Sequence, residues 1–273
     1  MDSMKRLLSV LCAAVLSAGC ASTYTTPGGP AALASKPVAD GARAGGDMAG
    51  GISGSGVRAA PVPMANVPAM VAFARVQATG YRSRTVSGYG GNDSQFSVIT
   101  TRDVESDETT DRIRRMPNVV GLAALNRLLL PSDALTEARL REAARRVNAD
   151  VLVLYTFDTQ FYVKDFARPV SIVTLGLSPN KRAYVNTTAT ALILDARSGY
   201  VYGGAETTDK SEQLSNGWTS EDAVDDTRRR TESRAFDKLV GELEKTWPTI
   251  VAQYGQPATA PGANATTAPV AGR

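Results

Sequence analysis

At 273 residues, 43% hydrophobic and 21% charged, the chain has enough apolar content for one globular domain once its polar flanks are set aside. Its 30 Lys and Arg against 27 Asp and Glu leave a net charge of +3, which is not a nucleic-acid footprint. Histidine is absent and cysteine occurs only at Cys12 and Cys20, so Ser-His-Asp, Cys-His and HExxH chemistry and structural zinc are excluded.

The chain opens with a basic n-region, Lys5 and Arg6, followed by Leu7 to Leu16, an apolar run too short to span a bilayer. Residues 1–19 therefore read as a signal peptide. The segment Leu16-Ser17-Ala18-Gly19-Cys20 resembles the bacterial lipobox, with Ser17 where a Leu is usual. That resemblance implies cleavage before Cys20, which would carry diacylglycerol and an N-terminal acyl chain such as palmitate. Ala21 resembles the outer-membrane sorting pattern of Gram-negative lipoproteins. With Cys12 removed, the mature chain keeps one thiol and no disulfide, so its fold must rest on a hydrophobic core. Two or more acyl chains give stable anchoring where one does not. The expected location is the outer membrane, lipid-anchored and facing the periplasm, with the cell surface as the alternative.

Residues 20–66 are dominated by Ala, Gly, Pro, Ser and Thr and read as a disordered tether with an r.m.s. reach of about 35–40 Å. A single α+β domain is expected over 67–250 and a disordered tail over 251–273, in which residues 255–273 repeat the tether composition. Met70 to Gln77 alternates Val71, Phe73 and Arg75 against Met70, Ala72, Ala74 and Val76, a first strand; Gln95 to Thr101 offers a second, joined to it as a long hairpin. Asp103 to Arg115 is a loop or short helix closed by Pro117, and Val119 to about Asn126 reads as a strand.

A helix follows from Asp133 or Thr136 to Val147, its stripe formed by Leu140, Ala143, Ala144 and Val147, with Asn148 as a left-handed cap. Asp150 to Phe157 is unbroken and apolar, which suits a central strand. Val170 to Leu177 and Tyr184 to Leu194 are further strands. Asp195 to Gly199 is a turn, and Tyr200 to Thr207 returns as the partner strand. The last helix starts near Thr219 or Ser220, buries Phe236, Leu239, Val240, Leu243 and Trp247, and is expected to stop at Pro248. The fold class is α+β: a mixed, largely antiparallel sheet with two main helices packed on it.

Without histidine, only carboxylate or Lys-dependent catalysis is left. Asp150, Asp158, Asp195 and Glu206 are the acids near strands, and each has an ordinary place at a strand start, a turn or a solvated face. Gly88 to Gly91 lacks the lysine of a phosphate loop. No catalytic residue, metal or cofactor is expected. Arg228, Arg229 and Arg230 are the sharpest basic run. They are either a site for an anionic partner or the solvated side of a helix neutralised by Asp225, Asp226 and Glu232.

The helix before Ala149-Asp150-Val151-Leu152-Val153-Leu154, and the strand ending in Leu194-Asp195-Ala196-Arg197-Ser198-Gly199-Tyr200-Val201-Tyr202, resemble envelope lipoproteins with the fold of the TolB amino-terminal domain. The group includes the curli secretion-channel lipoprotein and the lipoprotein activators of penicillin-binding proteins, and the resemblance covers residues 119–247. It implies a non-enzymatic lipoprotein that binds a protein partner in envelope assembly, maintenance or stress tolerance. The alternative is a subunit of an oligomeric secretion pore, for which 160–182 and 80–101 would supply membrane hairpins.

Overall fold

The computed structural model describes residues 25–26, 60–91, 93–131, 134–165, 181–215 and 221–255. The strands are β1 Thr25–Thr26, β2 Ala69–Gln77, β3 Ser97–Ile99, β4 Val119–Ala124, β5 Val151–Asp165, β6 Lys181–Asp195 and β7 Val201–Ser215. The helices are α1 Asp107–Arg114, α2 Glu137–Arg146 and α3 Glu221–Tyr254. Signal peptide, Cys20, most of the tether, Val170 to Leu177, Thr219 and Ser220, and the tail beyond Gly255 lie outside the described residues.

One mixed sheet runs β3-β2-β5-β6-β7, and β4 shares the β2 edge with β3. β2 is parallel to β4 and β5, whereas β3 pairs with it antiparallel. β5, β6 and β7 form an antiparallel ribbon in which Val151 pairs with Asp195 and Asp165 with Lys181. At about 3.3 Å per residue, these 15-residue strands are on the order of 50 Å long. The ribbon outlasts β2, whose pairing with β5 ends at Tyr155. Beyond that point the β5 edge takes up β1: Thr25 pairs with Gln160 and Thr26 with Thr159.

Period-two alternation sends the two sets of β2 side chains to two separate cores. Val71, Val153, Tyr155, Phe157 and Ile193 meet Phe236, Leu239, Leu243 and Trp247 of α3 and Ile113 of α1. On the other face, Ala72, Ala74, Leu152, Leu154 and Leu194 meet Leu140, Ala143 and Ala144 of α2. The sheet is thus a middle layer, which is why DVLVLYTF carries no polar alternation.

Local signals fix the ends of the short helices. Ser106 caps α1 by accepting from the Thr109 N–H, and Asp107 and Glu108 occupy its first turn. Thr136 caps α2 by accepting from the Arg139 N–H, and Asn148 takes φ 56° just past its end.

Pro248 does not stop the last helix. Its ring removes one backbone donor, yet α3 continues to Tyr254. Burial of Trp247 and Ile250 holds this last part against the sheet, together with the contact of the Tyr254 hydroxyl with the Tyr200 hydroxyl at 3.1 Å. β5 and β7 also run past the apolar stretches that mark them in sequence, because antiparallel pairing along the ribbon continues into polar residues.

Candidate functional site

At the end of the ribbon where β6 turns into β7, Asp195 is fully buried. Its Oδ1 accepts from the Arg197 N–H at 2.8 Å and the Ser198 N–H at 2.9 Å, which closes the turn, and Gly199 completes it at φ 75°. Its Oδ2 accepts from the Tyr202 hydroxyl at 2.7 Å and the Met64 N–H at 2.6 Å. Burial alone would raise the Asp195 pKa; donation from Ser198, Tyr202, Met64 and Arg197 outweighs it and holds the carboxyl below the usual aspartate range. Burial and the adjacent carboxylate push the Tyr202 hydroxyl up to about 12. The Ala65 N–H donates to that hydroxyl at 3.0 Å, and Asp150 accepts from the Asn66 side chain and the Met70 N–H. Together, Asp195, Tyr202 and Asp150 clamp the chain where it enters β2.

A second polar cluster lies beneath the first turns of α3. Arg228 is 0% exposed. Its Nε donates to Asp225 at 3.0 Å, Nη1 to Glu232 at 2.6 Å and Nη2 to Asp103 at 3.0 Å. Arg75 of β2 donates to Asp103 at 2.8 Å and to the same Glu232 oxygen at 3.0 Å, and its guanidinium lies 4.7 Å from the centroid of the Phe157 ring. Glu232 also accepts from the Thr159 hydroxyl, and Glu105 from the Tyr155 hydroxyl at 2.6 Å. Desolvation would lower both arginine pKa values; the surrounding carboxylates override it and raise them, so both stay charged. Through Glu232, which accepts from Arg75 and Thr159, the cluster joins α3 to β2 and β5.

Of the acids considered as a catalytic pair, the structure brings only Asp195 and Asp150 together, and both are taken up by backbone and side-chain donors of the turn and the entering chain. Asp195 and Asp150 hold the clamp, Glu206 is exposed and accepts from Thr190, and Asp158 is half-buried on the ribbon. The arginine run divides. Arg228 is buried and has no solvated side, because the α3 stripe turns it toward β2; Arg229 is half-buried beside Asp225 and Asp226; Arg230 is exposed. The outward part of the run is thus narrower than three consecutive arginines suggest. Sequence reasoning missed Arg75 as the partner across the core: a lone arginine in an apolar strand was the signal. Among the described residues, no group of three His, Cys, Asp or Glu side chains is placed to hold a metal, and no helix is long and apolar enough to cross a membrane.

The surface feature that stands apart is the outer edge of β4. Val119–Ala124 carries no charged residue and pairs with β2 on one side only among the described residues. Val120 is 68% exposed and, just beyond the strand, Leu128 is 93% exposed. β7, the opposite edge among the described residues, carries the exposed charges Glu206, Lys210 and Glu212, which deter edge-to-edge pairing. A cavity of about 40 Å³ sits behind β4, lined by Phe73, Arg75, Ile99, Glu105, Leu122 and Tyr155. It is far below the roughly 300–1,000 Å³ of small-molecule sites.

No family model matches the chain, and no curated protein matches it. Among solved structures it is similar to a candidate lipoprotein from Caulobacter crescentus CB15, at 15% identity and a TM-score of 0.24, over 44% of this chain and 86% of that one. It is also similar to a Xanthomonas campestris protein of family DUF330, at 13% identity and a TM-score of 0.30, over 71% of this chain and 94% of that one. Likenesses at this level leave function to the residues.

Proposed function

We propose that the chain is a bacterial envelope lipoprotein, anchored through Cys20 in the outer membrane and facing the periplasm, whose domain is a non-enzymatic module that binds a protein partner by adding a strand at β4. The observation that carries the binding reading is the uncharged, exposed β4 edge. Main-chain pairing there gives affinity, and neighbouring apolar side chains such as Val120 give specificity. The lipobox-like segment at Cys20 carries the anchor, and the consumption of buried ionisable groups in ion pairs and caps favours a binding role over catalysis. No observation favours the pore alternative.

Two measurements test this. Cys20→Ser should release the mature chain from the membrane fraction; unchanged sedimentation overturns the anchor. A photo-crosslinking residue at Val120 in cells should capture one defined envelope protein, and the same group at Glu206 of β7 should not. Equal recovery at both positions, or none at Val120, overturns binding at β4.

A further inference from the structure

The sequence leads one to expect a spacer between lipid and domain, but β1 places the start of that spacer on the domain itself. Thr25 is only five residues after Cys20, a span of at most about 18 Å even when fully extended. β1 runs antiparallel to β5, so its Thr25 end points in the direction in which β5 advances from Gln160 to Asp165. The stretch after Thr26 leads back to Met64, which is bonded to Asp195 at the other end of the ribbon, about 26 Å away along β5. Residues 27–59 therefore link two points of one sheet rather than separating the sheet from Cys20.

We infer that the β5-β6-β7 ribbon points its Asp165–Lys181 end toward the lipid leaflet that holds Cys20, with Tyr162 and Tyr184 at headgroup level. This rests on the lipoprotein reading above. Tyr162 lies two residues beyond Gln160, about 7 Å along the strand. It is 46% exposed, and it is the one aromatic side chain among the exposed large hydrophobic residues described. It pairs in register with Tyr184, the rings stacked at 5.1 Å between centroids and 11° between planes. On the face where the pair sits, α2 packs over Leu152 and Leu154, and farther along the same face Gln160 is exposed. Tyrosine, apolar in its ring and polar at its tip, is enriched at the membrane–water interface. The anchor and the aromatic pair come from chain positions more than a hundred residues apart, yet β1 limits Cys20 to within about 18 Å of Thr25, beside Gln160.

The test uses the full lipidated protein in vesicles of phosphatidylethanolamine and phosphatidylglycerol carrying a brominated acyl quencher. Because Cys20 is consumed by lipid, Tyr162→Cys can be labelled with an environment-sensitive fluorophore, and Val201→Cys at the opposite end serves as the reference. The expected result is several-fold stronger quenching at 162 than at 201. Vesicle-bound protein with equal quenching at both sites overturns the inference and leaves the anchor standing; failure to sediment with vesicles overturns the anchor, and this inference with it. Independently, the Thr25→Cys/Gln160→Cys double variant should form a disulfide, since cross-strand Cα atoms about 4.5–5.5 Å apart suit one. A fully reduced double variant under oxidising conditions overturns the placement of the anchor at the ribbon end.

Discussion

At the scale of single residues, the molecule depends on polar groups that have left water together. Arg228 is the sharpest case: replacing it with Met removes the charge facing Asp103, Asp225 and Glu232 and leaves Asp103 and Glu232 to Arg75 and Asp225 to the more exposed Arg229. The expected cost is about 3–5 kcal/mol by denaturant unfolding, whereas Arg230→Ala should stay within about 0.5 kcal/mol. Comparable losses for the two would show that the cluster is not what joins α3 to the sheet. Asp195 supplies a pH dependence. Its carboxyl lies lower in the folded chain than in the unfolded one, so its contribution is present above the unfolded value of about 3.9 and is lost as pH falls through the folded value. Tyr202 acts in the opposite direction: its contribution is full below about pH 10 and is lost as pH rises toward about 12. Asp195→Asn should flatten the acid limb of stability against pH and cost about 1–3 kcal/mol at neutral pH. An acid limb identical to that of the unsubstituted chain would rule this out.

At the scale of elements, caps and pattern explain the short helices, while packing explains the long one. Thr136→Ala should cost about 1 kcal/mol by removing the acceptor for the Arg139 N–H, and Asn148→Ala a further 1–2 kcal/mol or so through the left-handed backbone. Calorimetric melting separates these from Asn148→Gly, which should be close to neutral. The stripe Phe236, Leu239, Val240, Leu243 and Trp247, the turn at Asp195 to Gly199 and the central place of Asp150 to Phe157 were all legible, because each is a local pattern with one strong reading. Pro248 was not. The rule that proline ends a helix describes an isolated chain, and here buried Trp247 and Ile250 hold the last turns in place. Pro248→Ala, which restores a backbone donor, should keep or raise the melting temperature; a fall would mean that the proline itself shapes this end of α3.

At the scale of the whole molecule, the chain is fastened to its domain at two distant points. Met64 and Ala65 are held by Asp195 and Tyr202 at one end of the ribbon, and Thr25–Thr26 lies along β5 toward the other. A chain beginning at residue 60 should melt within about 2 °C of the mature protein, while one beginning at Pro68 should melt roughly 4–8 °C lower, having lost the strap bonds over Asp195 and Tyr202. Equal melting temperatures would mean that the strap lies on the domain without stabilising it.

The sequence by itself determined the α+β class, the core stripes, the left-handed cap at Asn148, and the absence of histidine and of a disulfide framework. All of these follow from composition and short-range periodicity, which act over a few residues. Only the tertiary structure decided that Arg228 faces inward to Arg75 and Glu232, that β4 is an uncharged edge, and that two residues of the expected tether belong to the sheet. Each of those depends on which strand lies beside which. That is settled by burying two faces of one sheet at once, and no window along the chain contains it.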